Sequence, residues 1–364
     1  FSSGALKPDG YLKDLIERSA DHVAELGKRL RDRIYGNVLP RLATGIAEAR
    51  GLDAPTTEDL SQTHDMALTL LFRLLFISYA EDRVLLPYGE NDEYTKVALK
   101  TLAKTFTPSE ENPEIEFDAD STELWSNVSS IVKAIHDGRD EWSIPAYGGT
   151  PFTEDENIKP SGARLAEIEL DDSVFGPVLQ GLLIDRGTDD EIGPIDFREL
   201  SVREFGTIYE GLLESELALA TEDLAEDNKG YYRPASGNDT VVVEDGEFYL
   251  HNSGKRKSSA SYYTKSFAVE HLLDRSLEPA LDEHLARVDA IEDDEEASKL
   301  LFDFRVADIS MGSGHFLIAA IDHIERRFSN YLSQRPLEGI MDELNRLWRL
   351  AAERTGKDAE SMGI

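Results

Sequence analysis

The segment VADISMGSGHFLIAAIDHI, residues 306–324, joins an acid, a glycine-serine-glycine turn and an apolar run with helical spacing. Phe304, Val306 and Ile309 are spaced for a short buried strand, whereas Phe316, Leu317, Ala320, Ile321 and Ile324 recur as on one face of a helix. Asp308 then stands at the carboxyl end of the strand, and Gly312, Ser313 and Gly314 make the turn. Glycine permits positive φ and lets a ligand approach the backbone. The open N–H groups of a starting helix attract a carboxylate or phosphate. The chemistry this order offers is the binding of a nucleotide-type ligand. His315, one histidine with no partner carboxylates or cysteines beside it, is read as a capping or packing residue.

These residues need elements to hold them. Before the turn, Tyr262, Tyr263 and Thr264 lead into a helical pattern whose apolar face is Phe267, Val269, Leu272, Leu273 and Leu277, with Pro279 near its end. Further upstream, residues 12–50 carry Leu12, Leu15, Ile16, Val23, Leu26, Leu30 and Ile34 at the spacing of one long helix or two. The run from Met66 is apolar enough for the central helix of a bundle and is expected to stop at Pro87. Helical patterns also cover about 94–106, 121–137, 173–184, 200–220 and 336–354, while 107–120 and 143–162 are proline-, glycine- and acid-rich loops. VVVEDGEFYL carries a hairpin signal at Asp245-Gly246, and Lys255, Arg256 and Lys257 lie in a polar loop. The expected organisation is a helical region at 1–230, a β-hairpin and linker at 231–257, and a further domain at 258–364.

Composition narrows the setting. A chain of 364 residues has room for two or more domains, and no apolar run approaches the roughly 20 residues of a membrane span, so no membrane partner is expected. The absence of cysteine excludes disulfides and thiolate metal sites, and no metal is expected. FSSGALKPDG lacks the order of a signal peptide, which makes a cytoplasmic protein the expectation. With Phe1 first and a helix-like stretch running up to Ile364, the sequence is read as part of a longer protein.

The formal charge is −34, from 72 acids against 38 bases of which only 14 are lysine. Such acidity counts against nucleic-acid binding in dilute salt. In molar salt the Debye length falls to about 3 Å and the repulsion fades. The acids are spread along the chain, a composition similar to that of salt-accumulating halophiles such as haloarchaea; a surface acidic for solubility alone is the plainer alternative.

SYYT before a helix, followed some 50 residues later by a strand ending in an acid and GSGHF, resembles the first two motifs of amino-group DNA methyltransferases. The similarity is greatest to the large single-chain adenine methyltransferases of type IIG restriction-modification and BREX-type phage-defence systems. SVREFGTIYEGLLE, residues 201–214, resembles the segment preceding their methyltransferase domain, and LLFRLLFISYAEDRVLLP resembles part of their helical region. The resemblance implies a mostly α-helical N-terminal region followed by the beginning of an α/β, Rossmann-like domain that binds S-adenosyl-L-methionine. By motif match, Asp308 and the backbone of Gly312, Ser313 and Gly314 would hold the amino-acid end of that cofactor. Phe316 would start the supporting helix, and Tyr263 and Thr264 would close the pocket. Lys265 and Ile309-Ser310 stand where the family usually has proline after the threonine and proline-alanine after the acid.

The family's catalytic motif, asparagine-proline-proline-aromatic, is not found after Ile324; the one Asn-Pro, Asn112-Pro113, is followed by Glu114. That motif is expected beyond residue 364, where it would bind a flipped-out adenine of double-stranded DNA. Defence-system proteins are the other partners the resemblance implies. No paired acids and lysine of a nuclease core are evident. Two other classes remain open: another nucleotide-dependent enzyme, which lacks the third glycine or Walker lysine it would need, and a helical scaffold that keeps a degenerate methyltransferase fold. A parallel sheet is buried on both faces and depends on its neighbours, so the last 100 residues are expected to be poorly ordered or rearranged without the missing strands.

Overall fold

Thr56 starts the longest helix of the N-terminal unit with a reciprocal cap: its hydroxyl accepts from the Asp59 N–H, and the Asp59 carboxylate accepts from the Thr56 N–H at 3.0 Å. Such a cap stabilises a helix by about 1 kcal/mol. The helix, Thr57–Asp82, buries Met66, Leu71, Leu74 and Ile77 completely and has apolar residues around most of its circumference, as a central helix must. The computed structural model describes residues 23–355 apart from 24, 53, 109–114, 187–191, 201–204, 207, 209–211, 213–214, 228–231, 238, 253–265, 310 and 312–313. The chain divides into two units, 1–260 and 261–364.

In the first unit, residues 25–33 are helical and run through a π turn, Ile34–Val38, into Leu39–Ala49. Around the central helix stand Asp92–Val97, Leu99–Thr105, Glu123–Asp137, Pro160–Leu165 and Asp172–Leu183. Among the described residues three antiparallel strand pairs join them: Ile184–Arg186 with Ile192–Pro194, Ser215–Leu219 with Phe248–Asn252, and Leu224–Glu226 with Tyr232–Pro234. One apolar cluster unites the helices with the strand residues Leu217 and Leu250.

Three expectations are corrected here. The central helix ends at Asp82 rather than at Pro87, and Val84 takes φ +59° in the turn that follows. The Glu81 and Asp82 carboxylates accept the N–H groups of Leu99, Lys100 and Phe197, so the chain turns early enough to bring those elements against the helix end. Residues 215–219, expected to be helical, form a strand, because Leu217 and its neighbours pair in register with 248–252. The turn at Asp245-Gly246 forms, with Gly246 at φ +85°, but its two arms do not pair with each other. Val243 bridges Leu224, and 248–252 takes the strand at 215–219. The basic loop at 255–257 and most of 201–214 lie outside the described residues.

The regular elements of the second unit are, among its described residues, all helices: Ser266–Asp289, Asp294–Leu301, His315–Gln334 and Glu338–Thr355. Val269, Leu273, Leu277 and Leu281 face Ala320, Phe316 and Ile324 in one cluster. Leu285 and Val288 pack with Ala297, Leu301, Leu337 and Ile340 in another. Pro279, expected near a helix end, is inside the first helix, which continues one decade of residues beyond it to Asp289. Phe267 is 70% exposed and Leu272 is also exposed, so the buried stripe excludes both. The strand expected from Phe304 to Ile309 is absent: residues 304–308 are irregular, Val306 is exposed and Ile309 is 100% exposed. A strand needs hydrogen-bonding neighbours, and the described residues of this unit supply none.

Candidate cofactor site

Gly314 is the residue that turns the chain into the His315–Gln334 helix. It sits at φ +79°, ψ 11°, in the left-handed region, with its N–H donating to Met311 O at 2.9 Å. An added Cβ would find ordinary contact with Met311 Cγ at 3.9 Å, so the backbone angle, rather than crowding, is what demands glycine. Its carbonyl accepts from Ile318 N at 3.0 Å, closing the first helical turn. Gly314 has no side chain with which to cap this helix, and the positive end of the helix dipole lies at this turn.

Phe316, half-buried, packs toward the Ser266–Asp289 helix through the cluster of Val269, Leu273, Leu277 and Leu281. Asp308, also half-buried, lies in the irregular segment six residues before Gly314. Gly314 and Phe316 therefore share one turn, and Asp308 belongs to the approach to it. Gly312, Ser313, Tyr263 and Thr264 lie outside the described residues. The groups present suit the methionine end of S-adenosyl-L-methionine in kind: an acid for the ammonium, and a helix start headed by a residue without a side chain.

No family model, no curated protein and no solved structure matches this chain. What the chain offers must be judged from its own residues.

The second unit fastens its helices with polar contacts. His323 Nε2 lies 2.6 Å from Glu278 Oε1, Arg327 pairs with Glu278 at 3.2 Å and with Asp282, and buried His284 faces Leu301 O at 3.2 Å. Arg335 donates to Val288 O at 2.9 Å and Ile291 O at 2.6 Å. These contacts join helix to helix and give both histidines a partner within the unit; among the described residues no group of His, Asp or Glu is arranged to hold a metal ion.

The first unit holds a buried carboxylate that the sequence reading passed over. Glu81 accepts from the Tyr94 hydroxyl at 2.6 Å and from Leu99 N at 3.0 Å and Lys100 N at 2.8 Å. Burial pushes its pKa up to about 7, against the lowering effect of those donors. Asp82 accepts from Phe197 N at 2.8 Å and pairs with Lys100 Nζ. Both acids bind main chain of neighbouring elements, which makes them clamps on the fold. The only sequence signal was two acids closing an apolar helix, a place where exposed charge is the ordinary expectation.

Proposed function

We propose that the chain belongs to an S-adenosyl-L-methionine-dependent DNA adenine-N6 methyltransferase of a restriction-modification or phage-defence system. The observation that carries this reading is Gly314, left-handed at the head of a helix, within the motif order SYYT, helix, acid, GSGHF. Bound there, S-adenosyl-L-methionine would supply an electrophilic sulfonium methyl group. Asp308 takes the ammonium of the methionine tail, and the backbone from Gly312 to Gly314 takes the carboxylate. Tyr263 and Thr264 close over this end, and Phe316 anchors the helix against its neighbour. The finer α/β, Rossmann-like fold of the second unit is part of the proposal: the segment 304–309 becomes a strand when neighbouring strands are present to pair with it. Double-stranded DNA is the substrate, with the target adenine flipped out of the helix.

The test is methyl transfer by the protein in its natural full length, with labelled cofactor and double-stranded DNA, read as N6-methyladenine. Product formation supports the reading. The irregular 304–308 segment, with exposed Val306 and Ile309, together with Lys265 and Ile309-Ser310, favours one alternative, a helical scaffold that keeps a degenerate methyltransferase fold. Cofactor binding without transfer to any DNA assigns the chain to that second reading.

A further inference from the structure

Arg29, Arg33, Asn37 and Arg41 recur every four residues along the first helical stretch. In an uninterrupted α-helix each such step drifts about 40° around the axis. The π turn Ile34–Val38, closed by the Leu39 N–H on Ile34 O, winds more widely and removes part of that drift. Such turns are concentrated at functional positions. Asp185 takes two of these cations: Arg29 Nη2 at 2.8 Å on one oxygen and Arg33 Nη1 at 2.8 Å on the other. Two further N–H-bearing nitrogens of Arg33, Nε and Nη2, carry no hydrogen bond. Glu25 also lies 4.0 Å from Arg29, so Arg29, Arg33 and Arg41 against two acids leave the cluster one net positive charge in a chain whose net charge is −34.

Two clefts open on this face. One, of about 330 Å³, is lined by Arg33, Asn37, Arg41 and Gln180 among others. The second, of about 690 Å³, has Tyr35, Tyr232, Phe248 and Tyr249 in its walls, with Tyr232 and Tyr249 edge to face at 5.0 Å. Arg41 lines both, is exposed, and has no ion-pair partner among the described residues. Along the same helix face, Glu48 lies two turns on from Arg41 and lines the aromatic cleft. Gly36 lines that cleft from within the π turn, and a Cβ there would meet nothing within 4 Å. Glycine inside a helix costs about 1 kcal/mol relative to alanine, so its presence where a side chain would enter open space keeps the cleft wide.

We propose that this double cleft binds a nucleoside phosphate, with the base against the tyrosines and the phosphate on Arg41. The aromatic walls provide faces for a base, the Glu48 carboxylate accepts from an exocyclic amino group, and Arg41 offers a guanidinium fork to phosphate oxygens. Asn37 and Gln180 provide amide donors beyond Arg41 for a longer phosphate chain. An adenine nucleotide has this combination of amine, flat ring and anionic tail. The inference stands on the first unit alone and is independent of the methyltransferase reading.

Calorimetric titration of the 364-residue chain with ATP, AMP and adenosine tests it, with circular dichroism checking that each variant is folded. ATP should bind more tightly than AMP, and adenosine weakest. Arg41→Gln should weaken ATP by about 10- to 100-fold, the loss of one charged hydrogen bond, while leaving adenosine unchanged. Gly36→Leu, which fills open space and favours the helix, should abolish binding of all three. A short oligonucleotide that binds in place of the free nucleotides, and loses binding in both variants, assigns the same chemistry to a nucleic-acid strand. Absence of saturable binding by nucleotides and oligonucleotide alike, or ATP affinity unmoved by either variant, would overturn it.

Discussion

The Tyr94 hydroxyl donates a 2.6 Å hydrogen bond to Glu81 Oε1 inside the core of the first unit. The same carboxylate receives the first N–H groups of the Leu99–Thr105 helix, so one acid holds together the end of the central helix, a buried tyrosine and the start of the next helix.

This site gives the fold a pH dependence of defined sign. The Glu81 pKa rises to about 7 in the folded state, so the folded chain holds a proton that the unfolded chain releases near 4.5. The contribution of Glu81 is fully present below about pH 4.5 and is lost as pH rises through 7, a change of order 3 kcal/mol. Glu81→Gln cannot titrate. Urea denaturation of both proteins at constant salt should show their stability difference changing between pH 5 and 8, with the wild type losing ground as pH rises. A constant difference would remove Glu81 from the account.

Gly314 should resist substitution for a backbone reason. At φ +79° an alanine is strained by about 1–2 kcal/mol, although its Cβ has room. Gly314→Asn should cost less, since asparagine tolerates this region better. Thermal melts of the two variants should rank asparagine above alanine; equal melting temperatures, both at the wild-type value, would mean the left-handed turn is not required.

The charge of −34 makes salt a stabiliser. At 0.01 M the Debye length is about 30 Å and the acids repel one another across the surface; at molar salt it is about 3 Å. The melting temperature should climb with potassium chloride toward the molar range. A flat or falling profile would refute the halophile composition and turn the acidity against DNA binding by this region.

Where periodicity was strong, the sequence was legible. Leu124, Val128, Ile131, Val132 and Ile135 form one buried face of the Glu123–Asp137 helix, as their spacing predicts. Ser215–Leu219 was not legible, because alanine, leucine and glutamate favour helix while tertiary pairing with Phe248–Asn252 decides the outcome. The β-branched Val241–Val243 run suggested a strand, yet it makes an isolated bridge, Val243 to Leu224, with the Val242 N–H also donating to Leu224 O at 2.8 Å. Of the candidate site, the glycine turn was legible in Gly314, since a left-handed helix start selects that residue type. The strand before it was not, since Val306 and Ile309 state a preference that only neighbouring strands can satisfy. The Arg41 cleft and the Glu81 clamp were hidden because both unite residues far apart in sequence.

The most direct measurement for the central claim is calorimetric titration of the natural full-length protein with S-adenosyl-L-methionine, alongside its Asp308→Ala variant. A charged hydrogen bond to the cofactor ammonium is worth about 1.5–3 kcal/mol, or about one to two decades in affinity. The account predicts saturable binding by the wild type, weakened in the variant by about 10- to 100-fold with the melting temperature of the free protein unchanged. Equal affinity in the two proteins, or no binding by the wild type, would contradict it.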